Sequence, residues 1–167
     1  MISLRPEKPE DADALDELLT VAFAFDELSQ LDEPRIVRAL RDAESLSVAL
    51  VAESSTTEEI VGFIAFSPVT IEDGSDGWYA LGPIAVDPRL QRLGIGRKLM
   101  ETGLSRLKAL GAKGCVVIAD PPFYTQFGFR NPERLHVEAV QMDNFLIQVF
   151  KEEEPEGRVR YHSAFDT

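Results

Sequence analysis

Thiol and imidazole groups are scarce in this chain. One cysteine among 167 residues, Cys115, excludes an internal disulfide framework and falls short of a zinc cluster. The two histidines, His136 and His162, stand in no His/Asp/Glu spacing that would hold a metal, so none is expected. Long apolar runs are missing as well. No segment approaches the ~20 apolar residues of a membrane span. The opening MISLRPEKPEDAD turns charged before an apolar run could serve as a signal peptide, so no membrane partner is expected and the expected compartment is the cytoplasm. Basic residues are also few: 17 Lys and Arg face 29 Asp and Glu, for a net charge of −12. That balance opposes the phosphate backbone of nucleic acid, and no interleaved aromatic and basic residues offset it. An acidic surface keeps a protein soluble, or steers a cationic solute toward it; the composition leaves both readings open.

What remains is an ordinary globular composition with no repeat and no linker, and at this length one core and one domain, 1–167, are expected. The hydrophobic period switches repeatedly along it. Ile2 to Leu4 reads as a strand, and Asp11 or Asp13 can cap a helix with Leu15, Leu18, Leu19 and Ala22 on one face, extended by Phe23 and Phe25. DEPRIVRALRDAE reads as a second helix, with Pro34 in its first turn and Ile36, Val37 and Leu40 inward. LSVALVAE and EIVGFIAFSPVTI, separated by SSTTE, read as a hairpin. WYALGPIAV is the next strand. A helix opening at Gly94 follows, with Ile95, Leu99, Leu107 and Leu110 as its stripe and Gly111 at its end. GCVVIAD reads as a buried strand, parallel to the one before that helix. FLIQVF and VRYHSAF read as a closing pair of strands around the turn KEEEPEG.

The segment LGPIAVDPRLQRLGIGRKLM sets Arg89, Arg92 and Arg97 around two glycines at a helix start. Gly94 to Leu99 lacks the third glycine of a dinucleotide fingerprint, and nothing supplies the GxxxxGK of a P-loop. Gln91-Arg92-Leu93-Gly94-Ile95-Gly96 still makes an anion site, because small residues let backbone approach a ligand and the free N–H groups of a helix start point at it. Diphosphate fits, with guanidinium groups to reinforce it.

An apolar strand ending at Val86, then Asp87-Pro88, then QxxGxG opening a helix, resembles the acyl-CoA pyrophosphate loop of the GNAT N-acetyltransferase superfamily. Downstream, PPFYTQFGF resembles the same superfamily's fYxxxGF segment, in the expected order and separation. With FSPVTI and LGPIAV added, the chain is most similar to the predicted bacterial acetyltransferases of the YhbS type, from about Ile2 to Phe165.

The resemblance implies an α/β fold (α+β by some schemes). Its sheet is mixed and mostly antiparallel, with six or seven strands, helices on both faces, and fourth and fifth strands that splay apart. It implies acetyl-CoA as acyl donor, no metal, and a primary-amine acceptor that is a small amine, an amino acid or a protein amino group, cationic if the acidic surface steers it. Pantetheine would run along Ile84, Ala85 and Val86, and the diphosphate would sit on Gln91, Arg92, Leu93, Gly94, Ile95, Gly96 and Arg97. Transfer needs a neutral amine, a polarised thioester carbonyl and an acid for the departing thiolate. Tyr124 takes the position of that acid; read from the residues alone it is rather a core aromatic beside Phe123, Phe127 and Phe129. Base candidates are Glu27 and Glu33, with Glu72 and Asp76 behind them. Cys115 opens an apolar strand and reads as an inert buried thiol. The rival reading is a non-catalytic module that binds acyl-CoA and regulates a partner. Monomer and homodimer are both compatible with the sequence.

Overall fold

The computed structural model describes residues 1–24, 31–138 and 140–166. Strand β1 (Ile2–Pro6) leads into α1 (Ala12–Phe23) and α2 (Glu33–Asp42), followed by β2 (Val48–Ser54), β3 (Ile60–Pro68), the two-residue β4 (Thr70–Ile71) and β5 (Trp78–Val86). Next come α3 (Ile95–Ala109), β6 (Gly114–Ile118), the short α4 (Pro121–Thr125), β7 (Leu135–His136), β8 (Phe145–Val149) and β9 (Gly157–Arg160). The main sheet has six strands in the order β1-β2-β3-β5-β6-β8, and a second sheet runs β4-β9-β7. In the main sheet every pairing is antiparallel except β5 with β6. That is the expected architecture, with the second sheet added.

Local chemistry starts the helices. Asp32 caps α2, its carboxylate accepting the Arg35 N–H at 3.2 Å, and Pro34 occupies the first turn where its missing N–H costs nothing. Neither candidate cap holds α1: Asp11 turns back instead, accepting the Lys8 N–H at 2.8 Å and both nitrogens of the Arg5 fork. Its carboxyl is held below the usual range by Arg5. Gly111 follows the last turn of α3 as expected, but Leu110 belongs to that turn's outer side, 58% exposed, and the inward stripe instead takes in Met100 and Leu104.

Alternation along the strands sends side chains to two faces. Leu50, Ile64 and Phe66 meet Leu99, Met100 and Leu107 of α3 on one. On the other, Val51, Phe63 and Ala85 meet Leu15 and Leu19 of α1 and Val37 of α2. Beside that helix pair, Trp78, Val116 and Phe145 pack on Ile71, Leu135 and Val159 of the small sheet. The two halves of that covering layer leave a cleft between them.

FLIQVF and VRYHSAF are not a hairpin. β8 pairs with β6, whereas β9 ends at Arg160 and lies between β4 and β7. Glu154 diverts the chain between them. Its buried carboxylate accepts the amides of Glu133, Arg134 and Leu135 at 3.0, 2.6 and 2.9 Å and pairs with Arg130 at 3.1 Å. Burial alone would raise this carboxyl, but the amides of Arg134 and Leu135, the Arg130 guanidinium and the Glu133 amide outweigh it and hold it below the ordinary range. Glu154→Ala strands those amides and is expected to cost roughly 3 kcal/mol in thermal or denaturant unfolding. A group with a depressed folded pKa contributes fully above its unfolded pKa and loses its contribution as pH falls through the folded value. The wild type should therefore lose stability over that acid window, and the variant should lack this part of the loss.

Candidate active site

The splay is visible in the register. β5 meets β6 only at Trp78↔Gly114, Tyr79↔Cys115 and Ala80↔Val116, while Val117 and Ile118 of β6 go on pairing with β8. Beyond Ala80, β5 stays with β3, but Gly82 and Pro83 together oppose Ala65 in a bulge. A bulge bends its strand, and Pro83 has no N–H to give to a neighbour. Pro83 stands mid-strand, where β5 parts from β6. The bulge also shifts the alternation, so that Trp78 and Ala80 before it and Ala85 after it share a face.

Past the bulge the edge groups of β5 divide. The Asp87 N–H reaches the Val61 carbonyl at 2.8 Å, which makes Asp87 and Ala85 the residues whose backbone groups face β3. Ile84 and Val86 therefore turn their N–H and C=O groups to the open side. Ala85 is different: its backbone is committed to β3 and its side chain is buried toward α1.

The anion loop lies at the end of this edge. Gln91, Arg92, Leu93 and Gly94 are exposed, and α3 begins at Ile95, with Lys98 N–H to Gly94 C=O at 3.0 Å as its first ladder bond. The amides of Ile95, Gly96 and Arg97 have no intrahelical acceptor. Gly94 holds φ +84°, which favours glycine, and Arg92 holds φ +68°, a strained backbone for a residue with a side chain. The Ile95 side chain is buried in the core, so only its amide faces outward.

The three arginines take different places. Arg89 folds onto Asp87 at 2.7 Å. Arg97 donates to the Gln126 amide oxygen at 2.8 Å and lies over the Phe127 ring at 5.1 Å. Arg92 makes no ion pair among the described residues. A Cβ on Gly96 would stand 3.6 Å from Phe123 and 3.8 Å from Val86. The two sequence motifs thus form one structure, with α4 wedged between the loop and the diverging strands.

Between β5 and β6 opens a cleft of about 1030 Å³, lined by Ile84 on one side, Phe123 and Tyr124 on another, and Phe23, Glu33 and Ile36 from the helices. Tyr124 packs edge-on against Phe123 and Phe129 at 5.2 and 6.0 Å. Burial pushes its phenol up to about 12, so it stays protonated. Its hydroxyl has no hydrogen-bond partner among the described residues. It is at once a packed aromatic and a cleft-facing donor.

Glu33 is buried in the same wall. Glu27, the other leading base candidate, lies outside the described residues. Asp76 is remote: it is exposed, pairs with Lys113 at 3.0 Å, and is no part of the cleft lining. Glu72 accepts the Arg158 N–H at 2.9 Å in a neighbouring pocket. His162 accepts the Ala164 N–H through Nδ1, a structural turn, and burial pushes the Cys115 thiol up, which suits an inert role. Among the described residues no three His, Cys, Asp or Glu side chains cluster to hold a metal, and no helix is long and apolar enough to cross a membrane.

Residues 45–131 match the Acetyltransferase (GNAT) domain family. The chain belongs to the GNAT acetyltransferase family. It is 34% identical over 126 residues to the uncharacterized N-acetyltransferase YhbS of Escherichia coli K12, which covers 75% of this chain and 72% of that protein. A GNAT family acetyltransferase from Brucella melitensis, solved in complex with acetyl-CoA, superposes with a TM-score of 0.88 at 39% identity over 99% of both chains. Escherichia coli YhbS, solved with CoA, gives 0.89 at 30% identity over 99% of this chain and 92% of that one.

Sequence reading missed part of this GNAT cleft. The segment that returns through β9 contributes Arg158, Arg160 and Tyr161 to the lining. Gly82-Pro83 inside an apolar run was the legible sign of a bulge, but no pattern announced where β9 would dock.

Proposed function

We propose that this protein transfers an acetyl group from acetyl-CoA to a primary amine by direct attack of the amine on the thioester. The observation that carries this reading is the departure of β5 from β6 at Gly82-Pro83, which turns the backbone groups of Ile84, in the cleft wall, and of Val86 away from β3 with no strand partner on that side among the described residues. A pantetheine arm has amides of its own to pair with such an edge. The diphosphate would take the open amides of Ile95, Gly96 and Arg97, with the Arg92 guanidinium, unpaired among the described residues, beside them and Gln91, Leu93 and Gly94 shaping the turn. Acetyl-CoA supplies an activated acyl carbon and a thiolate leaving group.

The remaining tasks fall to the chain. An N–H of the β5 edge, from Ile84 or Val86, polarises the carbonyl. Tyr124, neutral throughout the working pH range, donates to sulfur as it leaves. Glu33 accepts the amine proton, directly or through water; its burial in the cleft wall supports it over Glu72 and Asp76.

The test is a panel of primary amines incubated with acetyl-CoA and scored by thiol release. Release above the uncatalysed background is the expected result. Tight CoA binding with no release for any acceptor would favour the regulatory module instead.

A further inference from the structure

The cleft extends past the β5 and β6 edges to the small sheet, and four carboxylates line it, those of Glu33, Asp120, Glu138 and Asp166. Among the described residues, two cations line it, Arg158 and Arg160, both on β9 and two residues apart, hence on one face of the strand. Arg158 is matched: its guanidinium pairs with the Glu138 carboxylate, and it is largely shielded. Arg160 is exposed and has neither a carboxylate partner nor a hydrogen bond among the described residues. Next to it in sequence, Tyr161 also lines the cleft, with its ring edge-on to Phe165 at 5.2 Å and a buried hydroxyl that has no partner among the described residues. On the helix side of the same cleft stands the buried carboxyl of Glu33.

An exposed guanidinium and a buried phenol that both lack partners among the described residues, in a protein with net charge −12, are not explained by composition. Inside the cleft the local charges decide, because solvent screens the distant surface within roughly 8 Å at physiological salt. The buried carboxyl of Glu33 thus stands at the helix end, the exposed carboxylates of Asp120 and Asp166 also line the cleft, and the Arg160 guanidinium stands at the sheet end.

We infer that the acceptor is a small zwitterionic amine, one that carries an anionic carboxylate or phosphate group besides its amino group, and that Arg160 is the residue that selects it. This rests on the acetyl-transfer reading for the role of the amine, but the recognition is a binding property in its own right. The amino group is drawn toward Glu33, and the anionic group pairs with the Arg160 fork, which matches both carboxylate and phosphate geometry.

The experiment compares amino acids with their own carboxamides, and O-phosphoethanolamine with ethanolamine, in the wild type and in Arg160→Gln and Arg160→Lys. Both kcat/KM and binding to the CoA-loaded protein by calorimetry are recorded. The wild type is expected to prefer the anionic member of a pair by roughly ten- to hundredfold, the range of a charge-assisted hydrogen-bonded pair. The pair with the larger ratio tells carboxylate from phosphate. Arg160→Gln should bring that ratio near unity, and Arg160→Lys should keep part of it. KM for acetyl-CoA and the melting temperature should not move. If no amine is turned over yet anionic amines bind and lose their advantage in Arg160→Gln, acetyl transfer fails and this inference stands. Equal binding of both members of each pair, no binding of any, or a preference that survives Arg160→Gln overturns it.

Discussion

Tyr124→Phe is expected to lower kcat roughly tenfold to a thousandfold, the range of a general acid's contribution, while leaving acetyl-CoA affinity and melting temperature nearly unchanged. The ring keeps its edge contacts with Phe123 and Phe129, and the hydroxyl has no partner among the described residues to strand. A purely structural tyrosine would therefore show no loss of rate. The pH dependence sharpens the test. Burial holds the phenol near 12, so it is the protonated donor at every pH where the enzyme can be assayed comfortably. The deficit of the variant should accordingly be constant from about pH 6 to 10, and any alkaline limb in that window belongs to another group and persists in both proteins. A variant within a few-fold of the wild type, with the same profile, removes Tyr124 from the mechanism.

The parts of this site that could be read in the sequence are those whose chemistry is local. A helix start that binds an anion needs small residues at fixed positions, and QRLGIG displays them within one turn. PPFYTQFGF gives its aromatics in the same compact way. What brings the two together, Phe123 against Gly96 and Arg97 on Gln126, joins residues separated by twenty-seven and twenty-nine positions, and no period reports it. Strand partners were harder still. FLIQVF and VRYHSAF look paired because a turn-like acidic stretch separates them, yet within that stretch Glu154 is bound to the amides of residues 133–135, and β9 goes to another sheet. Pairing is chosen by which face finds a core, a long-range property. The small-sheet side of the cleft is built from that misplaced strand and the residue after it, so Arg160 and Tyr161 were out of reach until β9 had its neighbours.

Gly96→Val is expected to weaken CoA binding by roughly ten- to a hundredfold without unfolding the protein, whereas Gly94→Ala should lose stability first. The two glycines of the loop stand for different constraints. Gly94 has open space where a Cβ would go but holds φ +84°, so a side chain there strains the backbone by about 1 kcal/mol or more. Gly96 lies inside the first turn of α3 with ordinary helical backbone, and a Cβ would meet Phe123 and Val86 only at normal contact distances. Nothing in the folded protein forbids alanine there, and Gly96→Ala should even stabilise the helix by a fraction of 1 kcal/mol, since alanine is the better helix former. The reason for glycine at position 96 must then lie in what approaches the helix end from outside. A branched side chain directed between Phe123, Val86 and the open amides would hold a diphosphate away from those N–H groups and forfeit one or two charge-assisted hydrogen bonds. Isothermal titration of CoA and thermal melting on the same samples separate the two effects. Unchanged CoA affinity in a folded Gly96→Val protein would show that the diphosphate does not sit on the α3 amides.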